Sequence, residues 1–284
     1  MNDETLGMHR YLSMQKREYN KNNESPEAIV GHYAYHENFP YESNLLCFNG
    51  DVRKPIFNEF SNKRAFDVGC GEGRMVRRMR SFFSEVDGAD ISEKMVAAAR
   101  ERCGDSNIYL TSGSNCGDAK ADFYDFVYCT ISLQHIGSYD VRRSILKDIV
   151  RILKDDGKIT LQFLFAKHFP YLTTGALGVV ANTLVEIMPH NCQHASYMEN
   201  KFDAEKTNSG CDVVMGTNDL KAVREDLLSL FETVDFWFSD ISIGRGEQRV
   251  LPETHPNSHL DDSYWGTHFI FVHCTKPRKL KPVE

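Results

Sequence analysis

The sequence predicts a doubly wound α/β fold built on a mostly parallel sheet. Three observations predict it. Apolar runs of strand length alternate with stretches of helical periodicity across residues 64–166. The first run ends in an acidic residue and a glycine-rich turn, Asp67-Val-Gly-Cys-Gly-Glu-Gly73. The run Lys158-Ile-Thr-Leu-Gln-Phe-Leu-Phe165 is long and apolar, as a strand covered on both faces must be. Strands alternating with helices pair in parallel and carry helices on both faces.

Residues 1–60 are rich in Tyr, His and Asn and have little periodicity. They read as short helices and loops, serving either as a lid over a site or as a cap on the sheet edge. A strand at 65–69 leads into a helix at 74–83, whose apolar side carries Met75, Val76, Met79, Phe82 and Phe83. A second strand at 85–90 precedes Ser92, a good N-cap, and a helix with Met95, Val96, Ala99 and Cys103 along one face. A third strand at 107–111 runs into the small-residue turn Ser112-Gly113-Ser114-Asn115. The fourth strand is 124–129. A helix at 139–153 buries Val141, Ile145, Leu146, Ile149, Ile152 and Leu153, and Asp155-Asp156-Gly157 stops it.

The fifth strand, 158–165, is followed by an insertion at 167–216 that breaks the alternation, as covers and binding elements do. A helix at 217–230, a strand at 233–241, a loop at 244–264 and a last strand at 267–274 complete the chain. The expected organisation is one domain: a lid or cap at 1–60, a core at 61–166, the insertion at 167–216 and a closing segment at 217–284.

At 284 residues, the chain is long enough to bury one large core, or a core with a subdomain. Its net charge of -7 argues against a nucleic-acid partner gripped by a broad basic face. The first 20 residues lack an apolar h-region, and no apolar run reaches the ~20 residues that span a bilayer. The eight cysteines are scattered without a CxxC pair, which places the protein in a reducing, cytoplasmic compartment away from membranes.

In a doubly wound sheet, ligands bind beyond the carboxyl ends of the strands. Asp67 and the glycines end the first strand. Asp90 ends the second, about 20 residues beyond Gly69, the spacing of a carboxylate that accepts from ribose hydroxyls. Gly113-Ser114-Asn115 is small and polar enough to border an adenine ring. A dinucleotide is the first rival, but its fingerprint is G-x-G-x-x-G and this turn is G-x-G-x-G. The Asp67 carboxylate would also repel a pyrophosphate. It suits a cationic ligand such as S-adenosylmethionine, which carries a sulfonium and an ammonium and no phosphate.

Four stretches now resemble successive motifs of the class I S-adenosylmethionine-dependent methyltransferases. They are Asp67-Val-Gly-Cys-Gly-Glu-Gly73, Asp87-Gly-Ala-Asp90-Ile-Ser, Phe126-Val-Tyr-Cys-Thr-Ile-Ser-Leu-Gln-His135-Ile, and Arg151-Ile-Leu-Lys-Asp-Asp-Gly157. The resemblance implies a Rossmann-like sheet of seven strands with the last antiparallel, and methyl transfer from S-adenosylmethionine with S-adenosylhomocysteine as product. It implies that Gly69, Cys70 and Gly71 pack against the methionine and ribose through backbone, and that Asp67 balances the amino end. Asp90 would bind the ribose hydroxyls, with Ile91 against the adenine. Ser114 and Asn115 occupy the adenine-edge position, where the family often has an acidic residue and this sequence has none. Cys129 and Thr130 would border the methyl donor. Arg74 would pair with the methionine carboxylate or stand solvated on its helix.

His135, just past the fourth strand, is the candidate general base; in this family such a histidine also serves only to pack the pocket. His36, His168 and His194 are weaker candidates, because nothing fixes their distance to the site. His190-x-Cys192-x-His194 offers three metal-capable groups and no fourth, so no metal is expected. Tyr33, Tyr35, Tyr171 and Tyr197 are candidate substrate-pocket aromatics. The expected function is methylation of an oxygen or nitrogen of a small-molecule metabolite by a monomer or homodimer. The alternatives are an inactive cofactor-binding module or an RNA or protein methyltransferase. The chain has neither an Asn/Asp-Pro-Pro-Tyr/Phe motif nor a Pro-Cys nucleophile for base methylation.

Overall fold

The computed structural model describes residues 3–21, 45–46, 57–104, 106–130, 132–165, 177–180, 183–186, 193–200, 211–239, 250–253 and 268–279. The chain opens with helix α1 (Asp3–Lys21). The alternating core follows as β1 (Arg64–Val68), α2 (Arg74–Met79), β2 (Glu85–Asp90), α3 (Glu93–Cys103), β3 (Ile108–Leu110) and β4 (Tyr124–Cys129). A 3-10 turn at Leu133–His135, α4 (Tyr139–Ile152) and β5 (Leu153–Phe165) complete it. Within 167–216 lie a hairpin, β6 (Leu177–Val180) and β7 (Thr183–Glu186), then β8 (Gln193–Ala195) and β9 (Cys211–Met215). The chain closes with α5 (Leu220–Leu228), β10 (Phe231–Ser239), β11 (Val250–Pro252) and β12 (His268–Pro277).

The sheet runs β11-β10-β12-β5-β4-β1-β2-β3. Strands β1 to β5 pair in parallel. Strand β12 is antiparallel to both β5 and β10, so the last strand is reversed as expected. Seven of these strands are the expected ones; β8, β9 and β11 enlarge the sheet to ten.

Alternation along β4 divides the core into two layers. Val127 and Cys129 face the layer that includes Val141, Ile145 and Ile149 of α4. Phe126 and Tyr128 face the layer that includes Met75, Val76 and Met79 of α2 and Val96 and Ala99 of α3. Each such aliphatic side chain, fully buried, contributes roughly 1.5–3 kcal/mol. Helix α3 starts where Ser92 Oγ accepts from the Met95 N–H, and α4 starts in the same way at Ser138 with Val141.

Four expectations are corrected. The N-terminal segment contains a helix of 19 residues rather than only short pieces. Its inward stripe, buried Tyr11 and Gln15 with half-buried Met8, Leu12 and Tyr19, recurs at helical spacing within a mostly polar stretch. The helix after the glycine turn ends at Met79, because the chain turns at Arg80. The expected loop at 244–264 contains β11, which pairs with β10. The insertion returns to the sheet: β9 pairs in parallel with β5 at Leu164 and Phe165, beyond the last β4–β5 pair, Cys129–Leu161.

Candidate functional site

A cavity of about 470 Å³ opens at the carboxyl ends of β1, β2 and β4. That volume suits a ligand of nucleoside size. Asp67, Gly69, Cys70, Gly71 and Arg74 form one wall. Asp90 and Ile91 form a second, Asn115 a third, and Thr130 and His135 a fourth. The structure thus brings together ten of the twelve candidate residues. Ser114 and Cys129 do not line it. Cys129 is fully buried on the α4 side of β4, where burial pushes its thiol up to about 12.

The glycine turn is held by what surrounds it. Gly69 has φ +73°, and a Cβ there would fall 2.3 Å from Ser132 Oγ. Ser132 Oγ donates to the Gly69 carbonyl at 2.9 Å, so the turn rests on the start of the 3-10 segment after β4. The Gly71 N–H donates to Asp90 Oδ2 at 2.9 Å, and the Ser92 N–H donates to Asp90 Oδ1 at 2.9 Å. Burial raises the Asp90 pKa, while the N–H groups of Ser92, Gly71 and Ile91 oppose the shift. Each carboxylate oxygen keeps a further lone pair for a ligand hydroxyl.

Asp67 is the electrostatic anomaly. Its side chain is 2% exposed, and Oδ1 accepts no hydrogen bond among the described residues. Burial pushes its pKa up to about 8; Arg74 and the Tyr128 hydroxyl oppose this, and Asp90 adds to it. A buried carboxyl with an unpaired oxygen beside a cavity fits a cationic ligand and disfavours a phosphate.

The turn at 111–115 is built internally. Thr111 Oγ1 donates to Asn115 at 2.6 Å and accepts from the Gly113 N–H at 3.1 Å. Gly113 has φ +93°, and a Cβ there would fall 2.5 Å from Ile91 Cδ1 and 2.9 Å from Leu12 Cδ2. Asn115 Oδ1 also accepts from the Gly117 N–H, so this amide shapes the turn itself.

Sequence reasoning missed the fifth wall, which is α1. Tyr11, Leu12, Gln15 and Tyr19 line the cavity. Tyr11 is fully buried, and its hydroxyl accepts from the Gly137 N–H at 2.8 Å. Further along α1, Lys16 Nζ meets Glu93 at 2.6 Å, and Ser92 Oγ donates to Asn20 at 2.7 Å. The helical stripe of α1 was the available signal.

The insertion is fastened beside the His135 segment. Arg142 is fully buried and donates to the carbonyls of Ile136, Tyr197 and Glu199. Tyr197, a candidate pocket aromatic, is instead a core anchor. It is fully buried, its hydroxyl donates to Asp226 at 3.0 Å, and it does not line the cavity. The candidates Tyr33, Tyr35, Tyr171, His36 and His168 lie outside the described residues, as do His190 and Cys192 and the side chain of His194.

Residues 66–161 match the family model described as a methyltransferase domain. That stretch, about a third of the chain, is a methyltransferase domain. The chain is 29% identical over 151 residues to the malonyl-[acyl-carrier protein] O-methyltransferase of Salmonella typhimurium, covering 53% of this chain and 58% of that one. It is 28% identical over 144 residues to the ubiquinone biosynthesis O-methyltransferase of Thiobacillus denitrificans, covering 49% and 57%. The chain spans about half the length of the curated relatives it matches. The fold extends further. A Thermotoga maritima crystal structure, described as an S-adenosylmethionine-dependent methyltransferase and possible histamine N-methyltransferase, aligns with TM-score 0.50. That alignment covers 91% of this chain and 97% of that one at 16% identity, a likeness of fold alone. Among the described residues, no helix is long and apolar enough to cross a membrane.

Proposed function

We propose that the protein transfers the methyl group of S-adenosylmethionine to an oxygen or nitrogen of a small-molecule metabolite. The observation that carries this reading is the buried Oδ1 of Asp67, unpaired among the described residues, on a residue of the cavity wall beside the glycine turn. Asp67 would hold the ammonium end of the cofactor, the turn at Gly69–Gly71 would take its middle, and Asp90 would accept from the ribose hydroxyls. Ile91, Leu12 and Gly113 would border the adenine. When bound, S-adenosylmethionine supplies an electrophilic methyl on a sulfonium.

The protein's own contribution is positioning and exclusion of water. The buried side of α1 closes the cavity, so charges inside interact in a low dielectric. His135 stands in the wall just past β4, where its ring can take the proton that a hydroxyl or ammonium acceptor releases. The acceptor would meet the insertion, because β9 joins β5 immediately beyond the end of β4. The same proposal takes the protein to be cytoplasmic, a monomer or homodimer without a nucleic-acid partner. Among the described residues, five buried thiols are free, which fits a reducing compartment.

The test is a tritiated-methyl assay over a panel of hydroxyl- and amine-bearing metabolites. Transfer to at least one acceptor is expected. For His135→Ala, turnover should slow with S-adenosylhomocysteine affinity kept; an unaltered rate makes His135 a packing residue. Cofactor binding without transfer to any acceptor would favour the inactive-module reading.

A further inference from the structure

Gln162 sits in the long apolar strand β5, and its side chain is fully buried with neither Nε2 nor Oε1 hydrogen-bonded among the described residues. An amide buried with both ends unpaired costs stability that an apolar side chain of the same shape would not. Such a group calls for an explanation, and its position supplies one.

Cross-strand pairing runs Asp67–Tyr128–Thr160–His273 across β1, β4, β5 and β12. Side chains paired in register share a face, so these four stand in one row on the layer above α2 and α3. Gln162 lies two residues further along β5, on the same face, with Phe271 of β12 beside it. The last β4–β5 pair is Cys129–Leu161, so the next position across from Gln162 is Thr130. Thr130 lines the cavity. The face is roofed near this point by residues 45–46, where the Leu45 carbonyl accepts from Thr160 Oγ1 at 2.8 Å.

We propose that Gln162 recognises the methyl acceptor, pairing its amide with a planar edge that carries one hydrogen-bond acceptor beside one donor. An amide, a lactam or a neutral carboxyl presents that edge. A carboxylate does not, because one of its oxygens would face Oε1. This assignment rests on the methyl-transfer reading of the cavity, since it places the acceptor one strand from the cavity wall at Thr130.

The experiment uses full-length protein loaded with S-adenosylhomocysteine, 2-pyridone as the probe, and the variant Gln162→Met. The ¹H–¹⁵N signal of the Gln162 side-chain amide, identified by its loss in the variant, should move on addition of 2-pyridone. Gln162→Met should raise Tm by about 2–4 °C, leave S-adenosylhomocysteine affinity unchanged, and weaken 2-pyridone binding roughly tenfold. A lower Tm would overturn the proposal, because the amide would then be serving the fold, through bridging water for example. So would an amide signal that 2-pyridone leaves in place. Failure of the wild type to bind S-adenosylhomocysteine is a separate outcome. It would overturn methyl transfer, and with it the acceptor role of Gln162.

Discussion

The Gly71 N–H donates to the Oδ2 of Asp90 at 2.9 Å, so the glycine turn after β1 is pinned to the end of β2. The other Asp90 oxygen holds the Ser92 N–H at the start of α3. One carboxylate therefore sets the spacing between two walls of the cavity before any ligand arrives. Asp90→Asn puts an N–H₂ where one of these donors expects an acceptor. It should lower stability by about 1–3 kcal/mol, read as a fall in Tm.

Asp67 gives the site a pH dependence whose sign is fixed. Its pKa in the folded protein is about 8, above the ordinary 3.8. The folded state therefore holds this proton more tightly than the unfolded chain. The Asp67 contribution to stability is fully present below pH ~3.8 and is lost as pH rises through about 8. A bound ammonium favours the ionised form, so binding expels the proton. S-adenosylhomocysteine affinity should rise up to about tenfold per unit between pH 6 and 8. Asp67→Asn should flatten that slope and stabilise the ligand-free protein above pH 8. Calorimetry across the pH range checks both; a pH-independent wild type would contradict the role given to Asp67.

Gly69 tests the turn by sterics. A methyl there meets the Ser132 hydroxyl and must also accept a φ of +73°. Gly69→Ala should cost about 2 kcal/mol or more. Among the described residues beyond its chain neighbours, none comes within 4 Å of an ideal Cβ at Gly71, whose φ is +53°. Gly71→Ala should therefore cost only the backbone strain, roughly 1 kcal/mol. Denaturant melts of the two variants should fall in that order.

Tyr11 tests the docking of α1. Tyr11→Phe leaves the Gly137 N–H without its acceptor in a buried setting. The expected result is a faster S-adenosylhomocysteine off-rate in stopped-flow, with α1 opening more often. The Lys16–Glu93 pair stands on the surface, and its loss should change that rate little.

The part of the site carried by local chemistry was legible in the sequence. The glycine spacing, the carboxylate about 20 residues on, and the order of the strands all lie within 61–166. What was hidden lies elsewhere for physical reasons. Tyr11 and Gln15 belong to a stripe diluted by charged neighbours, because one side of α1 faces water. The pairing of β9 with β5 joins residues far apart along the chain, which no local periodicity records. Gln162 was hidden by the apolar run around it, and its lack of partners among the described residues makes it visible. Ser114 looked like a binding residue because small polar turns border ligands; here the turn is closed by Thr111 and Asn115, and Ser114 stands outside the cavity.

The most direct measurement is calorimetric titration of S-adenosylhomocysteine into the wild type and Asp90→Ala at pH 8. The predicted result is one equivalent bound by the wild type and an affinity lower by at least about tenfold in the variant, from the lost contacts to a charged acceptor. No binding by the wild type, or equal binding by both proteins, would contradict the assignment of this cavity.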